Sequence, residues 1–139
     1  MKDHAALLIR NEQNRFLFVR RSKHKKTLPN IWAFPSGTRE EGETISETAI
    51  REAYEELGIH VMPEHTLAIK ELPEFGSRLH FMICTLASGE PFIKDPQEIE
   101  EMVWLRFPEF FQNYDDSKIG HGLVFLRQNP QLWASYAME

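Results

Sequence analysis

Glu52, Glu55 and Glu56 stand at i, i+3 and i+4 within the run Arg51-Glu52-Ala53-Tyr54-Glu55-Glu56. On a helix these carboxylates share one face, where like charges at such spacing repel one another. A cluster of this kind wants a cation, and an all-oxygen ligand set suits a hard divalent ion such as Mg²⁺. That ion keeps several waters and is commonly bound through one or two carboxylates together with substrate phosphates.

The surrounding residues describe the element that must carry these acids. Thr44-Ile45-Ser46-Glu47 has the form of a capping box at a helix start, and Gly58 predicts its end. At roughly 100° per residue, Ile45, Ala49, Ile50, Ala53, Tyr54 and Leu57 are expected on one buried half of the wheel. Glu47, Arg51, Glu52, Glu55 and Glu56 are expected on the other half, free for chemistry. Upstream, Ala5 to Ile9 and Phe16 to Val19 read as strands separated by the turn-favouring cluster Asn11-Glu12-Gln13-Asn14. Pro29 and Pro35 bracket Ile31-Trp32-Ala33-Phe34, a short extended piece leading to Gly37. Downstream, Thr66 to Leu72 and Arg78 to Leu86 predict a second hairpin around Pro73-Glu74-Phe75-Gly76. A strand over Glu101 to Phe107 and a short helix over Glu109 to Gln112 come next. A C-terminal helix over Leu123 to Arg127 and Leu132 to Tyr136 is expected to break near Pro130. Hairpins with interspersed helices indicate an α/β (α+β) domain whose mixed sheet lies between helices.

Composition narrows the function classes. The 139 residues, 42% apolar and 27% charged, suit a single domain over 1–139. A formal charge of −5 argues against a nucleic-acid polymer as partner, because counterion release needs a basic stripe. Arg20, Arg21, Lys23, Lys25 and Lys26 are basic only locally, and either hold a small anion or form a solvated loop. Cys84 is the lone cysteine, inside Phe81-Met82-Ile83-Cys84, so a buried inert thiol and a reducing, cytoplasmic setting are expected. No run of about 18 apolar residues exists, and neither secretion nor a membrane span is expected.

The spacing Gly37, Glu43, Arg51-Glu52-Ala53-Tyr54-Glu55-Glu56, Gly58-Ile59 resembles the Nudix box, with every fixed identity of that signature present. Ala53 departs from it, where a larger aliphatic residue is preferred, and this affects packing rather than metal binding. Leu8-Ile9-Arg10-Asn11-Glu12, Phe18-Val19-Arg20-Arg21 and Trp32-Ala33-Phe34-Pro35-Ser36-Gly37 resemble the first half of MutT-type Nudix hydrolases, many of which carry Gly at Ser36. The resemblance implies the Nudix fold and hydrolysis of a nucleoside diphosphate linked to a group X, with water attacking phosphorus. It implies Mg²⁺, or Mn²⁺, held by Glu52, Glu55, Glu56 and the Gly37 carbonyl. Glu52 is the expected general base or its orienting group, with Glu56 or a later acid as alternatives. Glu43 and Arg51 match the ion pair that ties loop to helix.

Family members often place another metal or base carboxylate before a late strand, which makes Glu98 the candidate and Glu101 the next; the alternative is solvated loop charge. Arg21 matches a phosphate-contacting position, and a planar fork of donors suits phosphate oxygens. Phe34 either stacks on a nucleobase or belongs to the core, where Trp32 is expected. His80 reads as a satisfied structural histidine and Asn113-Tyr114-Asp115-Asp116 as a turn. The substrate implied is a small nucleotide, a nucleoside triphosphate or oxidised nucleotide, with nucleotide sugars, ADP-ribose and dinucleoside polyphosphates open. A non-catalytic sensing module is expected to lose box carboxylates, and this chain keeps them all. Monomer and homodimer are both compatible.

Overall fold

The computed structural model describes residues 1–137. In chain order it contains β1 (Lys2–Arg10), β2 (Phe16–Arg21), β3 (Trp32–Ala33), β4 (Ser36–Thr38), α1 (Ile45–Leu57), β5 (His60–Leu72), β6 (Ser77–Ser88), β7 (Ile99–Leu105), α2 (Phe107–Asn113) and α3 (His121–Gln128). The strands form a seven-stranded sheet of order β3-β2-β1-β6-β5, with β4 added to β1 and β7 to β2. β1 and β6 run parallel from Lys2↔Ser77 to Arg10↔Thr85, whereas the other strand-to-strand pairings among the described residues are antiparallel, so the sheet is mixed.

Ala5 to Ile9 are buried without interruption, the signature of a strand covered on both faces. Their alternation divides the core. Ala5, Leu7 and Ile9 pack with Ala49, Ala53 and Leu57 of α1, while Ala6 and Leu8 face an aromatic layer that includes Phe16, Phe18, Phe107 and Phe110 together with Leu123 and Leu126 of α3. The sheet is thus held between α1 on one side and α2 and α3 on the other, as expected.

α1 starts where the capping box predicts. Thr44 Oγ1 accepts from the Glu47 amide at 3.1 Å, and Glu47 Oε1 accepts from the Thr44 amide at 2.8 Å. Its end is Gly58, in a left-handed conformation at φ 68° that an L side chain would resist. The buried face differs from expectation. Tyr54 is 53% exposed and Ile50 43%, and the buried residues are Thr48, Ala49, Ala53 and Leu57. A stripe centred between Ala49 and Ala53 places Glu56 about 40° from its centre and Tyr54 about 120° away, at roughly 100° per residue. The acidic half is therefore not freely solvated, because Glu56 and Glu52 lie on the flank that meets the sheet.

Other boundaries shift modestly. β5 begins at His60, directly after the helix, rather than at Thr66, and β7 ends at Leu105 so that Phe107 and Pro108 open α2. α3 ends before Pro130, and single 3-10 turns at Pro130–Leu132 and Ala134–Tyr136 replace a continued helix. Asp115 caps a 3-10 turn at Asp116–Lys118, in the segment expected to turn. His80 Nε2 lies 2.8 Å from Asp3 Oδ1, and burial pushes the Cys84 thiol up to about 12. Among the described residues no helix is long and apolar enough to cross a membrane. Met138 and Glu139, the end of the expected 1–139 domain, lie outside the described residues.

Candidate active site

The site is built where β4 lies antiparallel to β1, with Gly37 opposite Ala5 and Thr38 opposite His4. This pairing holds the loop after β4 against the start of α1. Gly37 leaves room for an acid: a Cβ on it would stand 2.0 Å from Glu52 Cδ and 2.3 Å from Oε1 and would push that carboxylate away. The absence of a side chain lets the Glu52 carboxylate rest beside the Gly37 backbone.

Arg51 organises the acids. Its Nε donates to Glu43 Oε2 at 2.6 Å and its Nη2 to Glu43 Oε1 at 3.1 Å, a two-point clasp across the loop and helix. Nη2 also donates to the Thr38 carbonyl at 2.9 Å, while Nη1 reaches Glu52 at 2.8 Å and Glu55 at 3.1 Å. Glu43 further accepts from Thr48 Oγ1 and the Glu40 amide, each at 2.9 Å. The Arg51 hydrogen bond, followed by the Glu40 amide, holds Glu43 down to about 2. The clasp fixes the height of the loop over the helix, and with it the distance between Gly37 and Glu52.

Glu52 and Glu56 behave oppositely to Glu43. Burial raises the Glu52 carboxyl despite its Arg51 bond. Glu56 is pushed up to about 8, first by burial and then by the nearby charges of Glu52 and Glu98. Its Oε2 is buried with no hydrogen-bond partner, a costly state for a carboxylate and a reason to expect a ligand there. Glu55, by contrast, is largely exposed at 56% of its side chain.

The late acids separate clearly. Glu98, on the loop before β7, pairs with Lys25 and joins it, Glu56, Gly37 and Arg21 around a cavity of about 230 Å³. Glu101 pairs instead with Arg20 at 3.2 Å, and Glu100 with Arg20 and Ser22, each at 3.1 Å. Neither borders that cavity. Arg21 also lines it, but its fork is turned onto its own loop, donating to the Leu28 carbonyl at 3.1 Å and the Thr27 carbonyl at 2.8 Å. Phe34 is 5% exposed, stacked on Phe18 with centroids 5.2 Å apart, so most of its ring belongs to the core and only an edge reaches the cavities.

A second cavity of about 610 Å³ adjoins the first, and His4, Arg21, Phe34 and Ser36 border both. Its far wall comes from Phe75 and Leu79 of the β5–β6 hairpin and from His121 at the start of α3. Sequence reasoning did not single out Lys25, His4, Phe75 or His121 for the site. Lys25 was visible only as one cation of a basic run, and the other three carried no spacing signal.

The donor set fits a hard divalent cation: oxygen ligands only, an orphaned buried carboxyl oxygen on Glu56, and a backbone left open at Gly37. As placed, no three acidic side chains among the described residues stand close enough together to hold an ion. Arg51 occupies Glu52 and Glu55, and Lys25 occupies Glu98, so a cation would have to displace these ion pairs.

A mixed sheet between helices, carrying a capped acidic helix clasped to a glycine-bearing loop, defines an α+β domain organised around one acidic loop–helix unit. A family model described as NUDIX domain matches residues 2–125, and the chain belongs to that family. It is 29% identical over 109 residues to a peroxisomal coenzyme A diphosphatase of Caenorhabditis elegans, covering 74% of this chain and 46% of that protein. It is 36% identical over 99 residues to the 8-oxo-dGTP diphosphatase of Escherichia coli, covering 68% of this chain and 74% of that one. A crystal structure of a MutT protein from Methanosarcina mazei superposes with TM-score 0.70 at 22% identity, over 97% of this chain and 91% of that chain. The fold is of the MutT type. The chain spans less than half of the nematode relative's length.

Proposed function

We propose that residues 1–139 act as one Nudix pyrophosphohydrolase, cleaving the diphosphate of a nucleoside diphosphate linked to X with Mg²⁺ or Mn²⁺. A nucleoside triphosphate or oxidised nucleotide is the substrate we favour, and cytoplasm the setting. The observation that carries the reading is the buried, unpartnered Glu56 carboxyl beside Glu52, Gly37 and Glu98, at the edge of a small charged cavity. Family membership and the similarity to the bacterial 8-oxo-dGTP diphosphatase support it.

Glu52, Glu55, Glu56 and the Gly37 carbonyl would hold the ion, with Glu98 as the carboxylate from the opposite wall. Held there, such an ion would supply positive charge to offset phosphate and to make water more acidic. Glu52, with its raised affinity for a proton, accepts or orients the proton of the attacking water. Arg51 holds Glu52 against Gly37, and Glu43 holds Arg51. Arg21 and Lys25 are the cations bordering the same cavity, placed to meet phosphate oxygens once they leave Thr27 and Glu98. Phe34 contributes one ring edge to the wall shared by the two cavities.

The test is a hydrolysis screen with and without Mg²⁺, across nucleoside triphosphates, oxidised nucleotides, nucleotide sugars, ADP-ribose and dinucleoside polyphosphates, with products identified by mass. Glu52→Gln and Glu56→Gln proteins run alongside. Turnover that persists undiminished in both variants, or that ignores the metal, removes the reading.

A further inference from the structure

The larger cavity reads differently from a site built to recognise one base. Its volume of about 610 Å³ falls within the range of small-molecule sites. Among the described residues, no Asp, Glu, Asn or Gln lines it. These are the side chains that present a fixed acceptor or donor–acceptor pair to a base edge. Of the titratable groups that border it, His4 is engaged, with Nδ1 3.0 Å from Thr38 Oγ1 and Nε2 3.3 Å from Ser77 Oγ. His121 lies against the Phe75 ring, and Arg21, bonded here to Thr27 and Leu28, is shared with the smaller cavity and assigned to phosphate there. What faces the space is mostly carbon, from Phe34, Leu79 and Phe81.

The rim carries an exposed ring. Phe75 sits in the 3-10 turn at the tip of the β5–β6 hairpin and is 57% exposed. Its ring lies 5.0 Å from that of His121, which opens α3. An exposed aromatic pair at the mouth of an apolar cavity has little to do in holding the fold, but a flat ring entering the cavity would lie against it.

We infer that this cavity takes the aromatic base of the substrate by stacking and shape, against the Phe75–His121 pair, and does not read the hydrogen-bonding edge of the base. This rests on the hydrolase reading for its substrate class, and names the selectivity of the same site. A pocket that distinguishes ligands by apolar contact separates them by roughly 10- to 200-fold, whereas one built around hydrogen bonds reaches about 10⁴-fold or more. The protein is therefore base-tolerant, accepting purine, pyrimidine and oxidised rings alike.

Two measurements on the full chain test it. One is binding of adenosine, guanosine, cytidine, uridine and 8-oxoguanosine monophosphates by calorimetry in the presence of a chelator. The other is kcat/KM for the matching triphosphates with Mg²⁺. The expected result is dissociation constants and kcat/KM values spread over no more than about 200-fold. Phe75→Ala should weaken all five monophosphates together, by about 5- to 150-fold, the range of one base–aromatic stack. Phe75→Trp should retain binding, and affinity for inorganic pyrophosphate, which has no ring, should be unchanged by either substitution. A single base favoured by about 10⁴-fold, or a Phe75→Ala protein that binds every nucleotide as the parent does, overturns the inference. Tolerant, Phe75-dependent binding without turnover of any nucleotide in the hydrolysis screen would uphold it while rejecting the hydrolase reading.

Discussion

The two adjoining cavities are opposites in almost every respect. The smaller is bordered by Glu56, Glu98, Lys25 and Arg21, and the larger chiefly by carbon. In the first, charge is concentrated, with Lys25 held on Glu98, and the helix that supplies Glu56 carries the Arg51 network on Glu43, Glu52 and Glu55. In the second, His4 is bonded to Ser77 and Arg21 to Thr27. The contrast is the one that a substrate with an anionic end and an aromatic end would require. Phosphate needs preorganised charge, which must be fixed by a network to be worth having in a site partly shielded from water. An aromatic group needs only a surface of the right shape, and its position is set by exclusion of water rather than by directed bonds.

The strongest way to break this division is to remove charge from the smaller cavity. Glu56→Gln or Glu52→Gln is expected to lower kcat by about 10²- to 10⁴-fold, the usual worth of a positioned acid–base group, with much less change in monophosphate affinity. Steady-state kinetics with a parallel binding titration reads both; equal losses in the two would show that the cavities do not divide the work.

Gly37→Ala follows. Its Cβ must displace the Glu52 carboxylate, from which it would stand 2.0 Å. A shift of about 1 Å in a reacting group can cost about 10²-fold, so kcat should fall by that order. A variant with parental kcat and an unchanged melting curve would show that the close approach of loop and helix is dispensable.

The pH dependence of stability sharpens the contrast between acids. With divalent ions chelated, the folded protein keeps a proton on Glu56 between its ordinary value of 4.5 and about 8, where the unfolded chain has released it. Stability from this group is present below that window and is lost as pH rises through it. Glu43 has the reverse sense: held down to about 2, it contributes above its ordinary value of 4.5 and fades as pH falls through that interval. Urea unfolding across this range, on the parent and on Glu56→Gln, should show the alkaline decline only in the parent. An identical slope in both would mean that burial does not hold that proton.

Lys25→Ala should change stability by less than about 1 kcal/mol, since the Lys25–Glu98 pair is half-exposed, yet raise KM for a triphosphate more than for a monophosphate. Equal KM for the two would detach Lys25 from the phosphate end. Smallest of all, Ile50→Ser is expected to move stability by no more than about 0.5 kcal/mol, because the side chain is on the exposed flank of α1. A large loss would restore the wider buried stripe that periodicity alone suggests.

Much of the framework was legible in the chain. Both hairpin regions, the capping box at Thr44, the stop at Gly58 and the break at Pro130 follow from local propensities that the tertiary fold does not oppose. Ile50 and Tyr54 were misread because periodicity assigns half a wheel to the core, while two alanines let α1 lie close on the sheet and narrow the contact. The same narrowing turned Glu56 inward. Arg21 was legible as a cation at the right place, but its engagement with Thr27 and Leu28 depends on how the intervening loop folds back.

The acidic unit from Gly37 to Gly58 was set by short-range order: residues three and four apart on a helix must share a face, and a glycine at a crowded turn has few substitutes. Which acid is buried, which late carboxylate stands opposite it, and what the larger cavity is made of were decided elsewhere. His4, Phe34, Phe75 and His121 come from β1, the link between β3 and β4, a hairpin tip and the start of α3, and they share a wall only because β1 pairs with both β4 and β6. Neither periodicity nor motif spacing encodes a meeting of that kind, because contact between such distant residues is fixed by sheet order and packing rather than by their separation along the chain.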